Sequence, residues 1–170
     1  VVKARTPRTV VVLTGPPSHP ALDRELVTKF LAYQKVMRIV CGGSTGNLVP
    51  RELGREIKTS LKYEDPSVPP TAMIKGIDLV TEGILTLNKC LNKLKSDNTQ
   101  EQKETGADGA SLLCQALRWA DRIIMLVGTA FNPAHEEFMN SLQMLTRTEV
   151  VGELAELLTR MDKEVIIEKY

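Results

Sequence analysis

The stretch TVVVLTGPP (9–17), answered by MRIVCGGSTGN (37–47), decides the fold. Thr9 to Leu13 is a continuous β-branched and apolar run, the pattern of a strand buried on both faces, and it halts at Gly15-Pro16-Pro17. Met37 to Cys41 repeats the pattern and halts at paired glycines. Between them, Leu22, Leu26, Phe30 and Tyr33, with Val27 and Leu31 beside them, recur at helical spacing and predict a helix over about 21–34. A buried strand, an amphipathic helix and a second buried strand form a βαβ unit, which requires a parallel sheet.

The rest of the chain continues the alternation. Pro50 fits a helix to about Gly54 if Asn47 is its N-cap, because proline is tolerated in a first turn. That leaves Gly42-Gly43-Ser44-Thr45-Gly46 as a loop. Strict alternation over Ile57–Glu64 predicts a half-exposed strand, and the prolines at 66, 69 and 70 a crossover without a helix. Ile77–Val80 reads as a short strand, followed by a helix carrying Ile84, Leu87, Leu91 and Leu94. The polar, aperiodic run 96–106 reads as a mobile surface loop. A helix at about 107–119, a strand at Ile123–Val127, a helix at Val150–Met161 and a strand at Glu164–Glu168 complete the order. The expected architecture is a doubly wound, mainly parallel, Rossmann-like α/β sheet of about six strands with helices on both faces. Its expected strand order is 3-2-1-4-5-6, with the switch point between the first and fourth strands.

Composition narrows the function without naming it. The 170 residues carry 42% hydrophobic and 25% charged residues and a net charge of +1, so one domain over 9–170 is expected. With both signs interspersed and only 4% aromatics, neither nucleic acid nor an anionic membrane is an expected partner. Cys41, Cys90 and Cys114 share no C-x-x-C spacing and read as reduced thiols of a cytosolic protein. No apolar run approaches a membrane span.

Ligands of open α/β sheets dock at the carboxyl ends of the strands, so the loops there are the candidate site. Gly42, Gly43, Ser44, Thr45 and Asn47 form the strongest phosphate-cradle candidate, with backbone amides and two hydroxyls available. Asn47 stands where a Walker lysine would follow Gly46, and no arginine completes a C-x5-R phosphatase loop from Cys41. A tight turn plus helix cap, with Cys41 an inert thiol, remains the alternative. Thr14 and Gly15 begin a rigid turn suited to walling a pocket. Glu82 beside Gly83 can accept from a hydroxyl or amine of a ligand, or simply complement a helix N-terminus. Thr129, Asn132 and His135 leave the strand at 123–127 toward the same edge. No metal-ligand spacing and no G-x-S-x-G elbow is present, so no catalytic residue, metal or cofactor is assigned.

Three motifs, TPRTVVVLTGPP (6–17), IVCGGSTGNLVPRELGREI (39–57) and GIDLVTEGILTL (76–87), together with GTAFNPAH (128–135), resemble the segment that follows the catalytic domain in bacterial serine phosphatases similar to stage II sporulation protein E. The resemblance implies that residues 1–8 are the end of that catalytic domain's last strand and a linker. It also implies an upstream metal-dependent phosphatase domain as partner. No clustered aspartates of the two-metal chemistry occur here, so the resemblance implies a cytoplasmic accessory domain that senses an unidentified small molecule. Two other readings stand beside it. One is an enzyme acting on a phosphorylated or glycosidic metabolite with Glu82 or His135 as acid–base group; the other is a homodimerisation or partner-docking module.

Overall fold

The computed structural model describes residues 5–54, 58–59, 72–74, 76–96, 108–130, 137 and 141–170. The strands are β1 (Thr9–Thr14), β2 (Met37–Cys41), β3 (Lys58–Thr59), β4 (Ala72–Met73), β5 (Leu79–Thr81), β6 (Arg122–Val127) and β7 (Glu164–Lys169). The helices are α1 (Asp23–Ala32), α2 (Gly43–Leu53), α3 (Ile84–Ser96), α4 (Gly109–Trp119) and α5 (Arg147–Arg160), with a 3-10 turn at Pro20–Leu22 before α1. They build one sheet in the order β3-β4-β5-β2-β1-β6-β7. The five strands from β5 to β7 are all parallel; β4 pairs antiparallel with β5, and β3 with β4.

The two faces of β1 show why the run at 9–14 lacks alternation. Val11 and Leu13 pack under α1 and α2, with Leu26, Phe30, Leu48 and Val49. Val10 and Val12 face α3, α4 and α5, with Leu87, Leu91, Leu113, Leu117 and Leu154. Val10, Val11 and Leu13 have no exposed surface, and each such burial stabilises the fold by roughly 1.5–3 kcal/mol. Helices α1 and α2 lie on the face reached while the chain moves outward from β1 to β2 and β5. Those laid down on the way to β6 and β7 cover the other face. This is a doubly wound α/β sheet, and its switch point lies between β1 and β6, because Arg122–Val127 takes the place beside β1 expected for the strand at Ile77–Val80.

Two sequence expectations change. The place beside β2 belongs to Leu79–Thr81, not to the strand expected at 57–64. Of that segment only Lys58–Thr59 lies within the described residues, as an antiparallel pair at the sheet's far edge. A half-exposed alternating strand suits an edge, whereas the place beside β2 needs apolar residues on both faces. The second change concerns the glycine stretch. Helix α2 begins at Gly43, so Gly43–Asn47 form its first turns and Asn47 is an exposed helical residue rather than the cap. Gly42 is the N-cap, at φ +141°, and Gly46 N–H donates to Gly42 O at 2.6 Å. Pro50 then sits in the helix interior, where it leaves the Gly46 carbonyl without its helical donor. The burial of Leu48 and Val49 against the sheet overrides that cost. The loop expected at 96–106 lies outside the described residues, apart from Ser96 at the end of α3.

Candidate functional site

The parallel register brings the last residues of four strands into one row at the carboxyl edge: Thr81, Cys41, Thr14 and Val127. All four share the face covered by α3–α5, because their in-register neighbours two residues earlier do. Thr81 is spent locally. Its hydroxyl donates to the Glu82 carbonyl at 3.0 Å and lies 3.4 Å from Cys41 Sγ. Cys41 is wholly buried, and burial, helped by the nearby Glu82 carboxylate, pushes its thiol up to about 12. At neutral pH it is therefore a protonated, unreactive thiol.

Thr14 differs from Thr81. It is 1% exposed, and its Oγ1 has no hydrogen-bond partner. Glu82, two strands away, is half-buried, and its Oε2 is likewise shut off from solvent without a partner. An unmatched buried polar atom costs about 1–3 kcal/mol, so two such atoms at one sheet edge call for a physical account. Between them the backbones of β2 and β5 exit in contact. A Cβ on Gly83 would stand 3.1 Å from Gly42 Cα, and Gly42 N–H donates to Thr81 O at 3.0 Å. Helix α2 opens there with the amides of Gly43, Ser44 and Thr45, positions that have no intrahelical acceptor.

The crevice at the switch point is closed by the chain itself. Gly128 N–H donates to Thr14 O, and Ala130 N–H to Pro16 O at 3.1 Å. A Cβ on Gly128 would lie 2.1 Å from Pro16 O, so only glycine permits this approach. Gly15 N–H donates to Thr45 Oγ1 at 2.9 Å, which uses the Thr45 hydroxyl to tie β1 to the start of α2. Over Gly15 lies the Arg147 guanidinium, where a Cβ would meet it at 2.5 Å.

Arg147 is the residue that sequence reading missed. It is the first residue of α5, placed by the capping box of Thr146 and Glu149. Asn88 of α3 holds the preceding turn from both sides: its Nδ2 donates to Leu145 O at 3.0 Å and its Oδ1 accepts from Leu145 N at 3.1 Å. The guanidinium donates to Gly128 O at 3.2 Å, and no carboxylate pairs with it among the described residues. Burial alone depresses its pKa. A half-buried cation at the positive end of a helix, lacking a counter-charge, is poised to receive an anion. The Thr146-x-x-Glu149 pattern was the available signal, since a capping box puts the next residue on a helix's first turn.

The remaining expected site residues are placed as follows. Thr129 is exposed, and both its N–H and its hydroxyl donate to Tyr170 O. Gly15 and Gly42 leave room for the Arg147 and Thr45 side chains, and Gly83 lets its backbone approach that of Gly42. The Ser44 side chain, Asn132 and His135 lie outside the described residues. Among the described residues no group of three or more His, Cys, Asp or Glu is arranged to hold a metal. No helix among them is long and apolar enough to cross a membrane. Comparison with known proteins finds no matching family model, no similar characterised protein and no similar solved structure.

Proposed function

We propose that this chain is a ligand-binding domain whose carboxyl sheet edge takes a small polar metabolite bearing an anionic group and, at its other end, a hydroxyl or amine. The observation that carries the reading is the unmatched polarity of that edge. Among the described residues Arg147 has no paired carboxylate, and the buried Thr14 Oγ1 and Glu82 Oε2 have no partners. Arg147 over Gly15 receives the anion, with Thr14 adjacent in the chain. Glu82, at the end of β5, accepts from the hydroxyl or amine. Two strand spacings separate β1 from β5, roughly 10 Å, a span that suits a small metabolite. Among the described residues of this edge, the buried Cys41 stays protonated and supplies no nucleophile. Recognition rather than turnover is what the geometry supports.

The test is thermal denaturation with inorganic phosphate, AMP and glucosamine 6-phosphate as probes. Binding at a hundredfold excess over Kd raises the melting temperature by roughly 5–10 °C. Arg147→Met is expected to abolish the response to every probe while leaving the protein as stable or slightly more so, because an unpaired buried charge has gone. Glu82→Gln is expected to remove any preference for glucosamine 6-phosphate over phosphate. Responses that survive Arg147→Met unchanged, or no response to any probe, sink the reading.

On this proposal the domain acts as a sensor for a serine phosphatase similar to stage II sporulation protein E. That regulatory half is supported by the motif resemblance only. It requires the phosphatase rate of a chain carrying both domains to change with ligand in an Arg147-dependent way, and a ligand-indifferent rate would remove it.

A further inference from the structure

Helices α3 and α4 meet through two cysteines. Cys90 and Cys114 are both fully buried, and their Sγ atoms lie 2.9 Å apart, well inside the contact distance of two unbonded sulfurs. Cys114 Sγ also lies 3.4 Å from Cys90 O, so its side chain reaches across the interface to the base of Cys90. No disulfide is present among the three cysteines. The remaining thiol, Cys41, sits at the carboxyl edge of β2 against Thr81 and is not part of this pair.

We infer that Cys90 and Cys114 are a disulfide-forming pair, a covalent modification site that locks α3 to α4 without rearranging the fold. A disulfide needs its sulfurs about 2 Å apart with a Cβ–S–S–Cβ dihedral of about 90° in magnitude, and a sulfur separation of 2.9 Å leaves about one ångström of approach to that bond. The neighbours are in place to hold that geometry. Leu87, Leu91, Leu94, Leu113 and Leu117 are nearly or wholly buried around the same helix interface. The oxidant is a hydroperoxide. One thiolate attacks the outer peroxide oxygen, forming a sulfenic acid and releasing an alcohol (water, for hydrogen peroxide). The second thiol then displaces water from the sulfenic sulfur, so that two thiols and one hydroperoxide give one disulfide, one alcohol and one water. Because both sulfurs are buried, the rate is set by transient separation of α3 from α4 rather than by thiol acidity.

The bond would close a loop between residues 24 apart in sequence, and constraining the unfolded chain to that extent raises the melting temperature by roughly 5–10 °C. The site differs from the carboxyl-edge ligand site and does not depend on it.

The experiment is treatment of the folded protein with hydrogen peroxide, followed by denaturation, counting of thiols and peptide mapping. The expected result is a loss of about 2 Da, one remaining thiol at Cys41, a single cross-linked peptide joining Cys90 to Cys114, and the higher melting temperature, all reversed by dithiothreitol. Cys114→Ala is expected to remain folded by circular dichroism and to show neither the mass loss nor the thermal shift. Three thiols remaining after oxidation, a cross-link involving Cys41, or the same thermal shift in Cys114→Ala would each overturn the assignment. Since the wild-type peptide map decides the pairing directly, a poorly folding variant does not leave it open.

Discussion

The two ends of this sheet are built on opposite electrostatic plans. At the amino end, Asp121 accepts from Arg5 at 2.6 and 2.8 Å and from the Arg8 amide at 2.7 Å, with further donation from the Arg8 guanidinium. Lys163 donates to the carbonyls of Arg118 and Ala120, and Arg8 also stacks over the Trp119 ring at 5.3 Å. An apolar groove of about 360 Å³ lies beside this end, lined by Met37, Leu79, Leu112 and Trp119 among others. At the carboxyl end, Arg147 and Glu82 carry opposite charges without meeting, and Thr14 buries a hydroxyl with no partner. Among the described residues each end leaves buried polar atoms without a partner, Arg38 Nε at the amino end and Thr14 Oγ1 and Glu82 Oε2 at the carboxyl end, and the contrast lies in Arg147, a cation with no carboxylate paired to it. A group held unsatisfied by rigid neighbours is available to a guest, and the proposed ligand site rests on that difference.

The largest test of that rigidity is Gly128→Ala. Its methyl would sit 2.1 Å from a backbone oxygen, which no side-chain rotation relieves, so β1 and β6 must part at the switch point. The expected loss is about 3 kcal/mol or more, read from urea denaturation. Gly152→Ala in α5 is the matched control. Nothing lies within 4 Å of its added Cβ, and the change should stabilise by about 0.5–1 kcal/mol through helix propensity. Equal effects at the two glycines would mean that the crowding at the carboxyl edge is not real.

A smaller loss is expected for Asn88→Ala. It removes both hydrogen bonds to Leu145 along with the bond to Ile84 O, and should cost about 2 kcal/mol. The sharper readout is coupling. If Asn88 positions Arg147, the variant also weakens any phosphate response several-fold at a temperature where it remains folded. A destabilised protein with an intact phosphate response would show that Asn88 only braces the helices.

How far these features were legible from sequence follows from which interactions are local. The runs at 9–14, 37–41 and 122–127 declared themselves because strands buried on both faces must be continuously apolar. The order of the strands did not, because Lys58–Thr59 and Leu79–Thr81 compete for the place beside β2, and only packing decides between them. Gly42–Asn47 was misread for a related reason. Glycine content and Pro50 argue against a helix locally, yet Thr45 binding Gly15 and Leu48 packing on the sheet are contacts 30 or more residues away or across layers. Glu82 and Thr14 were visible as edge residues. That their oxygens lack partners was not, since partnership depends on the whole neighbourhood. Arg147 lay one residue past the N-cap of a capping box that sequence alone displays.

The smallest effect concerns the matched end and sharpens the contrast by titration. The Arg5 guanidinium, followed by that of Arg8 and its amide, holds the Asp121 carboxyl far below the ordinary carboxylate range. Glu168, at the carboxyl end of β7, is depressed chiefly by Lys29. Asp108 is depressed because the Ser111 hydroxyl and amide outweigh its burial. A carboxyl lowered in the folded state binds fewer protons there than in the unfolded chain, so stability rises with pH across the window between the two values. The contribution is complete above pH of about 4–5 and is lost as the pH falls through the folded-state values. Asp121→Asn should therefore flatten the acid limb of a stability–pH curve by lowering its neutral plateau, and only slightly, since the pair is solvent-screened. If Asp121→Asn leaves the acid limb as steep as in the parent protein, the Arg5 and Arg8 pairing contributes nothing to stability and the amino end no longer stands as the charge-paired side of the contrast.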